Sequence, residues 1–216
     1  MKKDFCTLYL IRHGETEWNR NRVIMGHSDS PLTPEGVNQT EELRRELCDV
    51  KFDRVYSSDL PRAMRTAELV AEGRGLDVQK SVGLRERTFG RFEGMPVEQY
   101  LDESKETMKR LEGLSTDENW KFKVEEGVEN NVEILSRFTS ELQAISRENP
   151  SKTILVSTHG GCIRMLLMKL GYAPYGSLPP RSFKNSGFVT IRCDGEDVEI
   201  DSVKGATMHF ENRHWG

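Results

Sequence analysis

The residues of this chain best equipped for chemistry stand at the ends of apolar runs. Leu8-Tyr9-Leu10-Ile11 stops abruptly at Arg12-His13-Gly14-Glu15, and Thr153-Ile154-Leu155-Val156-Ser157 stops at Thr158-His159-Gly160-Gly161. An imidazole can serve as nucleophile, base or metal ligand, and a guanidinium grips an oxyanion through a two-pronged fork. Two histidines placed alike at strand ends argue against both being core fillers. Gly160 and Gly161 allow close backbone approach and open a helix whose first N–H groups favour anions. A further cation, Arg62, follows Ser57-Ser58-Asp59 in the first turn of another helix. A positive charge there opposes the helix dipole, which suggests an anion for it to hold. Residues 84–94 read LRERTFGRFEG: either a solvated loop of local ion pairs or a carboxylate held beside an anion site.

The elements that must position these groups follow from periodicity. Four apolar residues between polar neighbours predict a strand over residues 8–11, buried on both faces. Ligands of open α/β sheets bind beyond the carboxyl ends of the strands, which is where Arg12 and His13 stand. Residues 20–31 read as a loop. Thr33 is a good N-cap and Pro34 suits the first helical position, so a helix runs from there to near Leu47. A second strand is expected over residues 52–56, with Ser57-Ser58-Asp59 offering caps for the next helix. That helix carries the stripe Leu60, Ala63, Met64, Ala67, Val70 and Ala71, and Arg62 falls off it. Residues 77–82 form a weaker third strand. Residues 95–127 are polar and weakly periodic, with helical turns that the pattern does not place. Val128, Val132, Leu135, Phe138, Leu142 and Ile145 then mark a long amphipathic helix closed by Asn149-Pro150. A buried strand over 153–157, an apolar helix, a loop over 172–181 and a hairpin over 187–193 and 198–203 complete the chain.

Length and composition narrow the class. A chain of 216 residues fits one domain with a substantial core. No apolar run approaches the ~20 residues that a membrane helix needs, and Met1-Lys2-Lys3-Asp4 leads into the first strand without a signal-peptide core. A net charge of −4 provides no bulk attraction to nucleic acid or anionic membranes. Cys6, Cys48, Cys162 and Cys193 form no C-x-x-C and fit no zinc spacing, which reads as reduced thiols in a cytoplasmic protein. A catalytic role for Cys162, close to His159, is conceivable but disfavoured. His209 and His214 in the tail have no supporting ligands, so metal binding there is not expected.

There is no H-E-x-x-H, no P-loop and no G-x-G-x-x-G after a strand. Two arginines and two imidazoles around one anion suit phosphoryl transfer without a metal. The cations would neutralise the equatorial oxygens in the transition state, and a neutral imidazole would attack in line to give a phosphohistidine that water hydrolyses. The leaving alkoxide needs a proton, so a protonated carboxyl group must lie nearby.

Arg12-His13-Gly14-Glu15-Thr16-Glu17-Trp18-Asn19 resembles the first motif of the histidine phosphatase superfamily, in its phosphoglycerate mutase-like branch. The run from Ser57 to Ala67 resembles the second motif, Leu84-Arg85-Glu86-Arg87 the third, and Ser157-Thr158-His159-Gly160-Gly161 the fourth. The resemblance implies an α/β fold, a three-layer sandwich with a mostly parallel sheet flanked by helices on both faces, over one domain spanning residues 1–216. It implies His13 as the phosphorylated nucleophile and Arg12, Arg62 and His159 as holders of the phosphoryl group, with help from Asn19. Glu86 is then the general acid, and Gly26 and Gly160 join the substrate-binding set. No metal or cofactor is expected. The expected partner is a small phosphorylated metabolite of the sugar-phosphate or phosphocarboxylic-acid type, with a homodimer left open. Family mutases carry an insert with an Arg-Arg pair and prolines after the third motif, whereas residues 98–149 here contain neither. Mutases also usually have Ser or Thr where Met25 stands. A phosphatase is therefore the reading, with a cofactor-dependent phosphoglycerate mutase and a phospho-ligand-binding pseudoenzyme as alternatives. Arg20, Arg22, Arg87, Arg91 and Lys184 are candidate contacts for a polyanionic substrate.

Overall fold

The structure is a computed structural model and describes residues 4–208. In chain order the elements are β1 (Cys6–Arg12), α1 (Glu17–Arg20), α2 (Pro34–Glu46), β2 (Arg54–Ser58), α3 (Pro61–Ala71), β3 (Val78–Ser81), α4 (Val97–Glu103), α5 (Lys105–Glu112), α6 (Thr116–Lys121), α7 (Asn131–Glu148), β4 (Thr153–Thr158), α8 (Gly160–Lys169), β5 (Phe183–Cys193) and β6 (Val198–Ala206). The strands form one sheet in the order β3-β2-β4-β1-β5-β6. β1, β2, β3 and β4 are mutually parallel, and the hairpin β5–β6 joins β1 antiparallel. The sheet is thus mixed but mostly parallel, as expected.

Alternation along the strands divides the core. Leu8 and Leu10 of β1 and Ile154 and Val156 of β4 pack with Phe138, Leu142 and Ile145 of α7 and with Ile163, Leu166 and Leu167 of α8. Ile11, Val55 and Leu155 face the other way, onto Leu43 of α2 and Ala67 and Val70 of α3. Helices therefore cover both faces, and β1 and β4 are buried between them. A third, smaller cluster of Phe92, Tyr100 and Val128 is packed by Ile24, Phe89, Met95 and Met108. It holds the segment between β3 and α7 together.

Several expected boundaries shift, each for a local reason. The cap of α2 is as read: Thr33 Oγ1 accepts from Gly36 N–H at 2.9 Å. The second strand begins at Arg54 rather than residue 52, because Phe52 belongs to the α2–α3 core before the ladder starts. None of Ser57, Ser58 and Asp59 is the N-cap of α3, which is Leu60 with no side-chain bond; Asp29 supplies the missing acceptor, taking the Arg62 N–H at 3.3 Å. On α7 the stripe starts later than expected. Val132 is 43% exposed and Ile134 is fully buried in its place. Val128 precedes the helix and bridges Phe89. Residues 95–127 do contain helical turns, as α4, α5 and α6. Among the described residues no helix is long and apolar enough to cross a membrane. His209 and His214 lie outside the described residues.

Candidate active site

The ladder between β1 and β4 sets the geometry. Arg12 pairs with Thr158, so His13 and His159 each stand one residue beyond the last pair. The His13 N–H donates to Thr158 O at 3.1 Å. The imidazoles lie 5.2 Å apart between centroids, tilted by 60°, and both are buried.

His13 Nδ1 lies 2.8 Å from Gly14 O. A backbone carbonyl can only accept, so Nδ1 carries the proton and Nε2 of the neutral ring keeps its lone pair. Burial, then the charges of Arg62 and Arg12, hold the His13 pKa well below its ordinary value of 6.5. The ring is therefore neutral at pH 7, and of these causes the two arginine charges would also stabilise an anion beside it. His159 is depressed likewise, by burial first and then by Arg62, His13 and Arg12. Its Nε2 lies 2.9 Å from Ser58 Oγ.

Both arginines are held by backbone carbonyls. Arg62 is 1% exposed. Its Nη1 donates to Ser28 O at 2.8 Å and to Asp29 Oδ1 at 2.9 Å, and its Nη2 to Gly26 O at 2.7 Å. Arg12 Nη1 donates to Phe183 O, and burial lowers the Arg12 pKa to about 10. Gly160 lies close enough that a Cβ there would be 3.1 Å from Arg12 Nε. Five buried side-chain polar atoms lack a partner among the described residues, and three of them cluster here: Arg12 Nε, Arg62 Nε and His159 Nδ1. Buried donors without acceptors are costly. Two guanidinium N–H groups and an imidazole nitrogen that can donate, beside the lone pair of His13 Nε2, describe a site for an oxyanion next to a nucleophile.

Glu86 is clamped from several sides. Its Oε1 accepts from Arg87 N–H and its Oε2 from Gly161 N–H, each at 2.9 Å. α8 has no side-chain cap of its own, so the Glu86 carboxylate occupies the positive end of the helix. The Glu86 carbonyl accepts from His27 Nε2 at 2.9 Å and from Arg137 Nη2 at 3.2 Å. Arg137 also holds Gly83 O and Arg85 O and is paired with Glu129.

The structure thus brings Arg12, His13, Arg62, Glu86, His159 and Gly160 together at the carboxyl ends of β1, β2 and β4. Asn19 joins them from α1, where Thr16 and Asn19 form a capping box. Gly26 contributes its carbonyl to Arg62. At φ 58° it adopts a left-handed conformation, and a Cβ would meet Glu93 Oε1 at 2.3 Å. Of the candidate polyanion contacts, Arg20 pairs with Glu17, Arg22 with Glu98, and Arg91 with Glu103 and Glu125. Arg87 donates to Asn131, and Lys184 is exposed. Cys162 is buried, its thiol donates to Arg85 O at 3.1 Å, and burial drives its pKa up, away from a thiolate.

Sequence reasoning missed Glu93. It accepts from the N–H groups of His27, Ser28 and Phe89 and the hydroxyls of Ser28 and Thr88, so it ties the Arg62-holding loop to residues 88–93. Burial would raise its pKa, but these hydrogen bonds outweigh it and the group is lowered. Its place in the 84–94 motif was the available signal. Asn185, which contacts the His13 carbonyl at 3.0 Å, gave no signal at all. Among the described residues no three His, Cys, Asp or Glu side chains gather as a metal-binding group.

Residues 8–205 match the family model of the histidine phosphatase superfamily (branch 1). The chain is 35% identical to phosphoglycerate mutase-like protein 4 of Arabidopsis thaliana over 165 residues, 76% of this chain and 70% of that one. It superposes on a phosphoglycerate mutase from Bacillus anthracis with a TM-score of 0.76 at 30% identity, covering 93% of each chain. An alpha-ribazole phosphatase from Shigella flexneri gives a TM-score of 0.76 at 27% identity, over 95% of this chain and 100% of that one.

Proposed function

The chain belongs to branch 1 of the histidine phosphatase superfamily, and from that premise we propose that it is a metal-independent phosphatase of a small phosphorylated metabolite, working through a phosphohistidine on His13. The observation that carries the reading is the Nδ1–H donated to Gly14 O. It aims an unprotonated Nε2 into a buried site beside two guanidinium groups with unpartnered Nε atoms.

In the proposed reaction Arg12, Arg62, Asn19 and His159 bind the phosphoryl oxygens. His13 Nε2 attacks phosphorus in line, the P–O bond to the leaving group breaks, and protonated Glu86 passes its proton to the departing alkoxide. Water then attacks the phosphohistidine. Glu86, now a carboxylate, takes the water proton, and the P–N bond breaks to release phosphate and free His13. Positive charge from the arginines stabilises both transition states.

Rapid alkaline quench of a radiolabelled phosphomonoester should trap an acid-labile, base-stable phosphoenzyme that turns over. His13→Ala should abolish it and lower kcat by about 10⁴ or more. A His13→Ala protein with undiminished hydrolysis removes the nucleophile assignment.

A mutase is the second reading, and the name of the Bacillus anthracis relative favours it. Against it, Met25 is buried with its sulfur 3.6 Å from the Thr16 hydroxyl, so that position offers no hydroxyl. Conversion of 3-phosphoglycerate to 2-phosphoglycerate in the presence of 2,3-bisphosphoglycerate, faster than phosphate release, would favour the mutase.

A further inference from the structure

β5 reaches its ladder through an irregularity. Its register with β6 shifts between Phe183 and Phe188, and its pairing with β1 ends at Ile11 opposite Phe188. Within that interval Ser186 takes φ 53°, a left-handed conformation uncommon outside glycine. Asn185 therefore stands in the unpaired interval of β5, beside the end of β1. Its Nδ2 donates to the His13 carbonyl at 3.0 Å and to Asn19 Oδ1 at 3.3 Å. A primary amide nitrogen has two protons, and both are engaged. Asn19 Oδ1 also accepts from Thr16 N–H at 3.3 Å. With its oxygen held by two donors, the Asn19 amide has one orientation, and its own Nδ2 donates to nothing among the described residues.

We propose that Asn185 is a positioning residue: its amide fixes the Asn19 side chain so that Asn19 presents an N–H donor, not a carbonyl oxygen, to the phosphoryl group bound at His13. The proposal rests on the phosphatase reading. Turned over, the Asn19 amide would point an acceptor at phosphoryl oxygens that only accept, exchanging a hydrogen bond for a repulsion. Asn185 acts through Asn19 and needs no contact with substrate.

A double-mutant cycle between the two asparagines tests this. Two readouts are taken: kcat/KM on p-nitrophenyl phosphate, and the affinity for inorganic phosphate by calorimetry, which needs no turnover. Asn185→Ala should weaken both by about five- to tenfold in the wild-type background, the size of one hydrogen bond. In the Asn19→Ala background it should cost less than about twofold. Asn185→Leu fills the same space without a donor and should be as poor as Asn185→Ala, whereas a merely space-filling role predicts that Leu restores function. Equal losses in both backgrounds, or rescue by Leu, overturn the proposal. If Asn185→Ala fails to fold, the Leu variant carries the cycle. A wild-type protein that binds phosphate but hydrolyses nothing overturns the phosphatase reading instead, and the calorimetric cycle still reports on Asn185.

Discussion

Glu86 is the residue whose proposed role depends most on what leaves. An alkoxide needs a proton as the P–O bond breaks, whereas a nitrophenolate departs without one. Glu86→Gln keeps the shape and can still accept from Gly161 N–H, but has no transferable proton. Its kcat/KM for an alkyl phosphate, which reports the steps up to departure of the leaving group, should fall by about 10²–10³ while that for p-nitrophenyl phosphate is nearly unaffected. Equal losses on the two substrates would remove the acid role. The charged residues of the site were legible because their types and strand-end positions are themselves chemical statements. Their holders were not. Arg62 is fixed by the carbonyls of Gly26 and Ser28, and Arg12 by that of Phe183. A backbone carbonyl looks the same in every sequence.

At the scale of elements, the N-terminus of α8 combines two functions that one methyl group should separate. A Cβ on Gly161 would lie 2.2 Å from Glu86 Oε1, so Gly161→Ala must displace the carboxylate. Alanine is otherwise the better helix former, by about 1 kcal/mol. The variant should keep its melting temperature to within a few degrees while its kcat/KM for an alkyl phosphate drops by about 10²-fold, approaching the loss expected for Glu86→Gln. A variant with unchanged kcat/KM would show that the clamp on Glu86 is unimportant. The strands were readable from runs of apolar residues alone. The start of α7 departs from the expected one because Val128 and Val132 extend its helical spacing upstream, while the capping box of Asn130 and Glu133 marks the true beginning. Helices α4, α5 and α6 are seven, eight and six residues long. Each is too short to show a stripe; the small core that α4 and α5 join includes Ile24 and Phe89, far away in sequence or outside any helix, while Trp120 of α6 packs against the large core.

For the whole molecule, the buried histidines make stability a function of pH. Both have folded-state pKa values well below the ordinary 6.5, chiefly through burial. Above pH 6.5 neither folded nor unfolded chain protonates them, and their effect is nil. As pH falls below 6.5 the unfolded chain takes up protons that the folded one refuses, so stability declines until the folded-state values are reached. The slope is about 1.4 kcal/mol per pH unit for each histidine. Carboxylates with lowered values, such as Glu93 and Glu129, begin to matter only near their ordinary 4.5. Urea unfolding at pH 7.5 and pH 5.0 should therefore show a loss of a few kcal/mol, and replacing both histidines by Gln should flatten it. An equal loss in that double variant would assign the acid sensitivity elsewhere. The layered architecture behind this burial was foreseeable from alternating strands and helices. The division of its core was not, because it depends on which strand neighbours which.

The parallel pairing of Thr7 to Arg12 with Thr153 to Thr158 also works as a ruler with a single zero mark. Side chains alternate along a strand, so sliding β1 by one residue against β4 would swap the faces of Arg12 and His13 and send Leu8 and Leu10 toward the wrong helices. A slip by two would restore the faces yet carry His13 about 6.6 Å away from His159. Deletions or insertions of a single residue within either strand should therefore abolish the site at any position. That six-residue ladder measures one histidine against the other.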